Sequence, residues 1–308
     1  MQIELIIKNF VTLQKNSTLV ISSDSEKLRV KSRKQTPISP FSRNDDKFTE
    51  NMKISIVQNE IKWGFKEENL RSFGAFVEQC FGKTDLLVLP EMFSTGFAVN
   101  SPELSESIDG EAFNTVKMWA KKGSFAIVGS IMVKDGKKYV NRSFFCQPNG
   151  KIDFADKRHL FLGDEKKYFT AGNKILNVEY LGLKFRVLVC YDLRFPVWCR
   201  YTNENPYDIL IFTANWPKDR IEAWDTLLTA RAMENQAYVC GVNAVGTDSY
   251  KIQHNGHSCI IEPRGKRILT FEENEIGVKT IEIDIDYQKK IREKFPFLKD
   301  ADKFELKV

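Results

Sequence analysis

No run of about 18 apolar residues occurs anywhere in the chain, which leaves no candidate for a membrane-spanning helix. There is no basic stripe either. The 46 Lys and Arg residues are scattered among 41 Asp and Glu, and a formal charge of +5 is small for 308 residues, so a nucleic-acid partner is not expected. CxxC pairs and zinc-type spacings are absent among the six cysteines, at 80, 146, 190, 199, 240 and 259, so no metal is expected. Reduced thiols in a cytoplasmic protein account for that pattern. No repeat of solenoid period is present, and the amino-terminal residues lack the basic start, apolar core and small-residue cleavage site of a signal peptide. Histidine is limited to His159, His254 and His257.

What is present is the balance of an ordinary globular protein, 42% hydrophobic and 28% charged. Residues 1 to 51 stand apart from the rest. After a short apolar opening they are dense in Ser, Thr, Lys, Arg and Asp, hold no helical or alternating period, and are interrupted by Pro37 and Pro40. Such a segment buries too little apolar surface to offset its ordering entropy, so it is expected to be a disordered or non-native extension. The folded unit is expected to begin at Met52, which opens the strand-like MKISIVQ, and to run as one domain to Val308.

From there strand and helix patterns alternate. Strands are expected at Lys53 to Gln58, Leu86 to Leu89, Phe125 to Val133, Tyr139 to Gln147 and Lys151 to Ala155, with hairpin signals at Asp135-Gly136 and Pro148-Asn149-Gly150. Leu70, Phe73, Val77 and Cys80 share one helical face, as do Phe113, Val116 and Ala120, and later Ile221, Trp224, Leu228 and Arg231. Further strands are expected at Leu176 to Tyr180, Phe185 to Cys190, Asp208 to Thr213, Tyr238 to Val242, Ser258 to Glu262 and Val278 to Ile285. Hairpins mixed with helical crossovers imply a mixed sheet with helices on its outer faces.

One stretch invites chemistry. FRVLVCYDLRFP, residues 185 to 196, is a buried-strand run that turns polar directly after Cys190, where open α/β sheets carry their sites. A thiol there is reachable by substrate, and the Tyr191 N–H beside it can serve an oxyanion. Glu91 and Lys157 occupy the same kind of position, directly after apolar strands. Singly, Glu91 is better explained as a solvated strand end and Lys157 as a surface charge. Together with Cys190 they offer a carboxylate, an ammonium and a thiol at one sheet edge. A Cys-His dyad with His159 is the alternative, although nothing around His159 has that pattern.

LLVLPEMFSTGF at 86 to 97, DKRHLFLGDEKKYFTAG at 156 to 172, VLVCYDLRFPVW at 187 to 198, and ANWP followed by LLTARAMENQAYVCGVN at 227 to 243 together resemble the nitrilase superfamily of carbon-nitrogen hydrolases. The resemblance runs in order over essentially all of Met52 to Val308. CYDLRFP is similar to the amidase branches, and KRHLF, ANWP and REKFPFLKDADKF look most like bacterial omega-amidases, which hydrolyse 2-oxoglutaramate or 2-oxosuccinamate.

The resemblance implies an α-β-β-α sandwich, a homodimer, and a Glu-Lys-Cys triad that needs no cofactor. Glu91 becomes the general base, Lys157 the oxyanion partner that helps hold a thiolate, and Cys190 the nucleophile. Glu165 becomes a second glutamate near the triad, and Phe93, Tyr168, Tyr191, Arg194, Asn215 and Trp216 fall near the pocket. Arg194 can equally be structural. The implied substrate is the terminal amide of a small 2-oxo acid, with an N-carbamoyl amine, deaminated glutathione, or a non-catalytic binding role as alternatives. The chain departs from the pattern at Asn243-Ala244-Val245-Gly246, where Asn-Arg-Val-Gly is frequent, so a basic side chain is missing there. The apolar residues Ile291, Phe295, Phe297 and Leu298 are expected to be available to a partner subunit.

Overall fold

A computed structural model describes residues 51–306. The expectation for residues 1 to 51 therefore lies outside the described residues except at Asn51, which opens the first strand and donates its side-chain amide to Glu282 at 2.9 Å. In chain order the first half comprises β1 (Asn51–Gln58), α1 (Lys66–Gln79), β2 (Leu86–Val88), α2 (Glu111–Gly123), β3 (Ala126–Asp135), β4 (Lys138–Cys146), β5 (Ile152–Asp156) and the short α3 (Asp164–Tyr168). There follow β6 (Leu176–Tyr180), β7 (Leu183–Val189), α4 (Pro196–Cys199), β8 (Ile209–Ala214), α5 (Ile221–Asn235) and β9 (Tyr238–Asn243). The chain continues through β10 (Val245–Thr247), β11 (Gln253–Asn255), β12 (Cys259–Ile261), β13 (Arg267–Thr270), β14 (Gly277–Asp284) and α6 (Ile285–Lys294).

Two six-stranded sheets result, ordered β14-β1-β2-β3-β4-β5 and β13-β12-β9-β8-β7-β6, with β10 and β11 paired separately. Both are mixed. β1, β2 and β3 are parallel neighbours in one, and β7, β8 and β9 in the other, while the hairpin partners are antiparallel. Strand side chains alternate between faces, and the alternation decides the layers. Ile54, Ile56, Leu86, Val88, Val128 and Phe145 of the first sheet meet Phe185, Val187, Ile209, Ile211 and Cys240 of the second in one apolar layer. Leu87, Ile127 and Phe144, from the opposite face of the first sheet, pack under Phe73 and Val77 of α1 and Phe113 and Val116 of α2. Leu210, Phe212 and Val239 do the same under Trp224 and Leu228 of α5. The architecture is the expected sandwich of two sheets between outer helices. Each buried Leu, Ile, Val or Phe contributes about 1.5–3 kcal/mol to it.

Most elements fall within a residue or two of their expected positions, and the differences have local causes. The strand expected through Cys190 stops at Val189, because Cys190 takes a left-handed φ of +45° and opens a 3₁₀ turn to Arg194. Ile291 and Leu298, expected to be free for a partner, are buried within their own chain, whereas Phe295 and Phe297 remain about half exposed. Among the described residues no helix is long and apolar enough to cross a membrane.

Candidate active site

The carboxyl ends of parallel strands supply the chemistry-bearing residues. Cys190 directly follows β7 and Asn215 follows β8 in the second sheet, while Glu91 lies just past β2 and Lys157 directly follows β5 in the first. Because β5 runs antiparallel to β4 and β4 antiparallel to β3, β5 points the same way as β2 and β3. Lys157, Cys190 and Asn215 line one cavity of about 270 Å³, at the switch-point edge where open α/β sheets bind ligands.

Its floor is a buried charge network. The Lys157 ammonium donates to Glu91 Oε1 at 2.9 Å and to both carboxylate oxygens of Glu165 at 3.0 Å. All three side chains are fully shielded from solvent. The Asn141 amide, projecting from β4, donates to Glu91 at 2.7 Å and to Glu165 at 3.2 Å. Glu91 Oε2 accepts the Asn215 N–H at 2.9 Å, and the Asn215 side chain donates back to the Glu91 carbonyl at 2.7 Å. Burial works against the Lys157 ammonium, but the Glu165 and Glu91 carboxylates outweigh it and hold its pKa above the ordinary lysine value. Burial pushes the Glu165 carboxyl up, with Lys157 opposing.

Cys190 rests on the same network. Burial first, and the Glu91 carboxylate next, raise its thiol well above the ordinary value; Lys157 and a hydrogen bond from the Asn215 main chain oppose them without prevailing. These surroundings favour a neutral thiol over the thiolate that the resemblance implies. Two carboxylates already engage that ammonium, which leaves too little of its field for the sulfur. The left-handed backbone at Cys190, unusual for a residue with a Cβ, is matched by Met92 after Glu91, at +47°.

Of the other expected pocket residues, Tyr191, Arg194, Asn215 and Trp216 line the cavity. Phe93 and Tyr168 do not. The left-handed turn at Met92 sends Phe93 into the core beneath α1 and α2, edge-on to Phe73 at 5.5 Å. Tyr168 closes α3 with its ring under Lys167 and is partly exposed. The dyad alternative loses its geometry as well. His159 is not among the cavity residues, and its Nδ1 lies 2.8 Å from Asp192 Oδ1 with the ring stacked on Phe195 at 3.6 Å. His254 does line the cavity, but burial lowers its pKa.

Several contributors went unread in the sequence. Asn141 was signalled only by an amide in the middle of an apolar strand. Asp192 is in sequence one letter of CYDLRFP and in the fold a tie: Oδ1 accepts the His159 N–H at 3.0 Å and Oδ2 the Val189 N–H at 3.1 Å. It fastens the segment after Lys157 to the turn carrying Cys190. Arg220, Phe161 and Tyr250 complete the cavity mouth. Among the described residues no cluster of His, Cys, Asp or Glu has the arrangement of a metal site.

The profile of the family described as carbon-nitrogen hydrolase matches residues 53–293. The chain belongs to that family. This carbon-nitrogen hydrolase is 41% identical over 256 residues to the omega-amidase YafV of Escherichia coli strain K12, covering 83% of this chain and 98% of that protein. It is 35% identical over 254 residues to the 2-oxoglutaramate amidase of Bacillus subtilis strain 168, covering 81% and 97%. Among solved structures it is similar to XC1258 of Xanthomonas campestris, a CN-hydrolase superfamily protein with an arsenic adduct in its active site, with a TM-score of 0.81, 36% identity, and coverage of 83% of this chain and 99% of that one. Nit3 of Saccharomyces cerevisiae, of branch 10 of the nitrilase superfamily, matches with a TM-score of 0.72 at 26% identity over 80% and 94% of the two chains. The protein is therefore a hydrolase of carbon-nitrogen bonds other than peptide bonds, of nitrilase-superfamily fold and related to amidases.

Proposed function

We propose that this hydrolase is an omega-amidase that cleaves the terminal amide of a small 2-oxo acid, such as 2-oxoglutaramate or 2-oxosuccinamate, through a thioester on Cys190. The observation that carries the proposal is the buried Lys157 ammonium, bonded at 2.9–3.0 Å to Glu91 and Glu165 on the floor of the cavity that Cys190 lines. Glu91 and Cys190 share the Asn215 N–H as a neighbour, which sets base and nucleophile side by side.

Because the resting thiol is neutral, Glu91 takes its proton as sulfur attacks the amide carbon. The developing oxyanion is met by the Lys157 ammonium and the Tyr191 N–H. The tetrahedral adduct collapses, the C–N bond breaks, and the departing nitrogen receives the proton from Glu91 and leaves as ammonia. Water, deprotonated by Glu91, then attacks the thioester; the C–S bond breaks, the sulfur recovers the proton, and the carboxylic acid departs. Glu165 keeps the Lys157 ammonium aimed.

The names of the two amidase relatives support the substrate class, and a cavity of about 270 Å³ suits a small acid better than a tripeptide such as deaminated glutathione. Six free, buried cysteines fit a reducing compartment such as the cytoplasm. The exposed Phe295 and Phe297 support a homodimer, which light scattering would test. Expression from Asn51 tests whether the preceding residues are dispensable: a folded, active product is expected. Ammonia release across 2-oxo-acid amides, asparagine, glutamine and carbamoyl compounds tests the activity. Turnover of the 2-oxo amides is expected, and none at all would overturn the proposal.

A further inference from the structure

Elsewhere in the fold the buried arginines have their terminal nitrogens engaged: Arg142 by Asp156 and Asp135, Arg186 by two carbonyls as well as by Asn177 at Nε, and Arg231 by Glu234 and the Leu193 carbonyl, with only its Nε left over. The half-buried Arg194 and the exposed Arg220, at the cavity, are different. Among the described residues neither guanidinium has an ion-pair or side-chain hydrogen-bond partner. Each is instead held over an aromatic ring, Arg194 over Trp216 at 4.8 Å and Arg220 over Phe161 at 5.2 Å. Stacking of this kind restrains a guanidinium and leaves its N–H edges free to engage a planar, bidentate anion.

One residue organises both. The Trp216 ring that carries Arg194 also donates its indole N–H to the Arg220 carbonyl at 2.7 Å, and its own main-chain N–H is fixed by Asn243 Oδ1 at 2.6 Å. Trp216 is almost wholly buried, so the platform is rigid. The two carboxylates that line the same cavity are already engaged. Asp164 accepts the Tyr250 hydroxyl, and Asp248 accepts the main-chain N–H groups of Tyr250 and Ile252 at 2.9 Å. Among the described residues two restrained cations thus face the cavity with no carboxylate paired to either, and Lys157 on the floor is engaged by Glu91 and Glu165.

We infer that Arg194 and Arg220 form the subsite for a substrate carboxylate, and so select amides that carry an anionic group at the end remote from the scissile bond. The inference rests on the amidase reading above and adds to it which side chains read the acid. It also answers the departure at Ala244, because the cation missing from that loop is supplied from the two strand ends that bear Cys190 and Asn215.

The test is a selectivity ratio. Succinamate would be compared with the uncharged amide in which an isopropyl group replaces its carboxylate, in the wild type, Arg220→Ala and Arg194→Gln. The kcat/KM ratio of charged to uncharged amide should fall at least about tenfold in each variant, mainly through KM, on the scale of one lost charge-assisted contact. An unchanged ratio, including equal losses on both amides, would overturn the subsite. Should neither amide be turned over, the 2-oxo-acid amide panel decides the amidase reading, and succinate binding to the full chain by calorimetry decides the subsite alone. Binding that weakens in both variants upholds it, and binding that is absent or unaffected by either variant sinks it.

Discussion

The floor and the mouth of the cavity hold their charges in opposite ways. On the floor, Lys157 is shielded from water and tied to two carboxylates, which are tied in turn to Asn141. At the mouth, Arg194 and Arg220 rest on aromatic rings with their donors uncommitted. A reacting centre profits from dipoles that need no reorganisation when charge develops, and a recognition site profits from donors that no internal acid has claimed. On the proposed roles, the same family of interactions is closed where bonds would change and open where a ligand would be read.

The largest effect should come from the nucleophile. Cys190→Ala is expected to lower kcat by more than about 10⁴-fold while leaving the thermal transition in place, since the substitution is small and the sulfur makes no structural bridge. Retained turnover would remove Cys190 from the floor's chemistry. Lys157→Met comes next. It removes an oxyanion donor, for about 100-fold or more in rate, and leaves Glu91 and Glu165 buried together, for about 3–5 kcal/mol of stability. Rate measurements with chemical denaturation would read both, and a variant as stable as the wild type would show that the floor is not a charge network.

Smaller changes probe what joins the two zones. Asp192→Asn weakens the tie between the Lys157 segment and the Cys190 turn, for about 1–3 kcal/mol in denaturant, with kcat falling more than KM. An equal fall in affinity would mean that the tie serves the mouth instead. The mildest effect concerns pH. Because the folded state raises the Cys190 pKa above its ordinary 9.0, that thiol's contribution is fully present below about pH 9 and is lost as pH rises toward the folded value. Each linked proton is worth about 1.4 kcal/mol per pH unit in that window. The wild type should therefore lose stability more steeply above pH 9 than Cys190→Ala; identical slopes would mean that the thiol is not held neutral.

Glu91, Lys157 and Cys190 were legible in the sequence because each closes an apolar strand run, and a polar residue at that point is a local signal. The layers were legible for a similar reason, since period-two strands such as Lys53 to Gln58 and period-3.6 faces such as Leu70, Phe73 and Val77 declare their buried sides locally. Phe93 misled because proximity to Glu91 in sequence is not proximity in space once Met92 reverses the backbone. Asn141 and Arg220 were silent, one hidden in an ordinary strand and the other in an ordinary polar turn.

Taken alone, then, the order of residues was enough for the alternation of elements, a mixed sheet under outer helices and the three strand-end groups, all of which follow from patterns a few residues long, while the second sheet came only with the family resemblance. Folding in three dimensions decided the rest. Only the run of pairings from β2 through β3 and β4 to β5, the parallel pairing of β7 with β8, and the packing of one sheet on the other bring Glu91, Lys157 and Cys190 to one edge from positions 91, 157 and 190. Only the tertiary surroundings favour a neutral thiol, chiefly through burial, and a charged ammonium, through Glu165 and Glu91 against burial, because a pKa depends on the dielectric and the neighbours that distant segments supply. Which arginines stay unpaired is settled in the same way, by which acids the fold has already engaged.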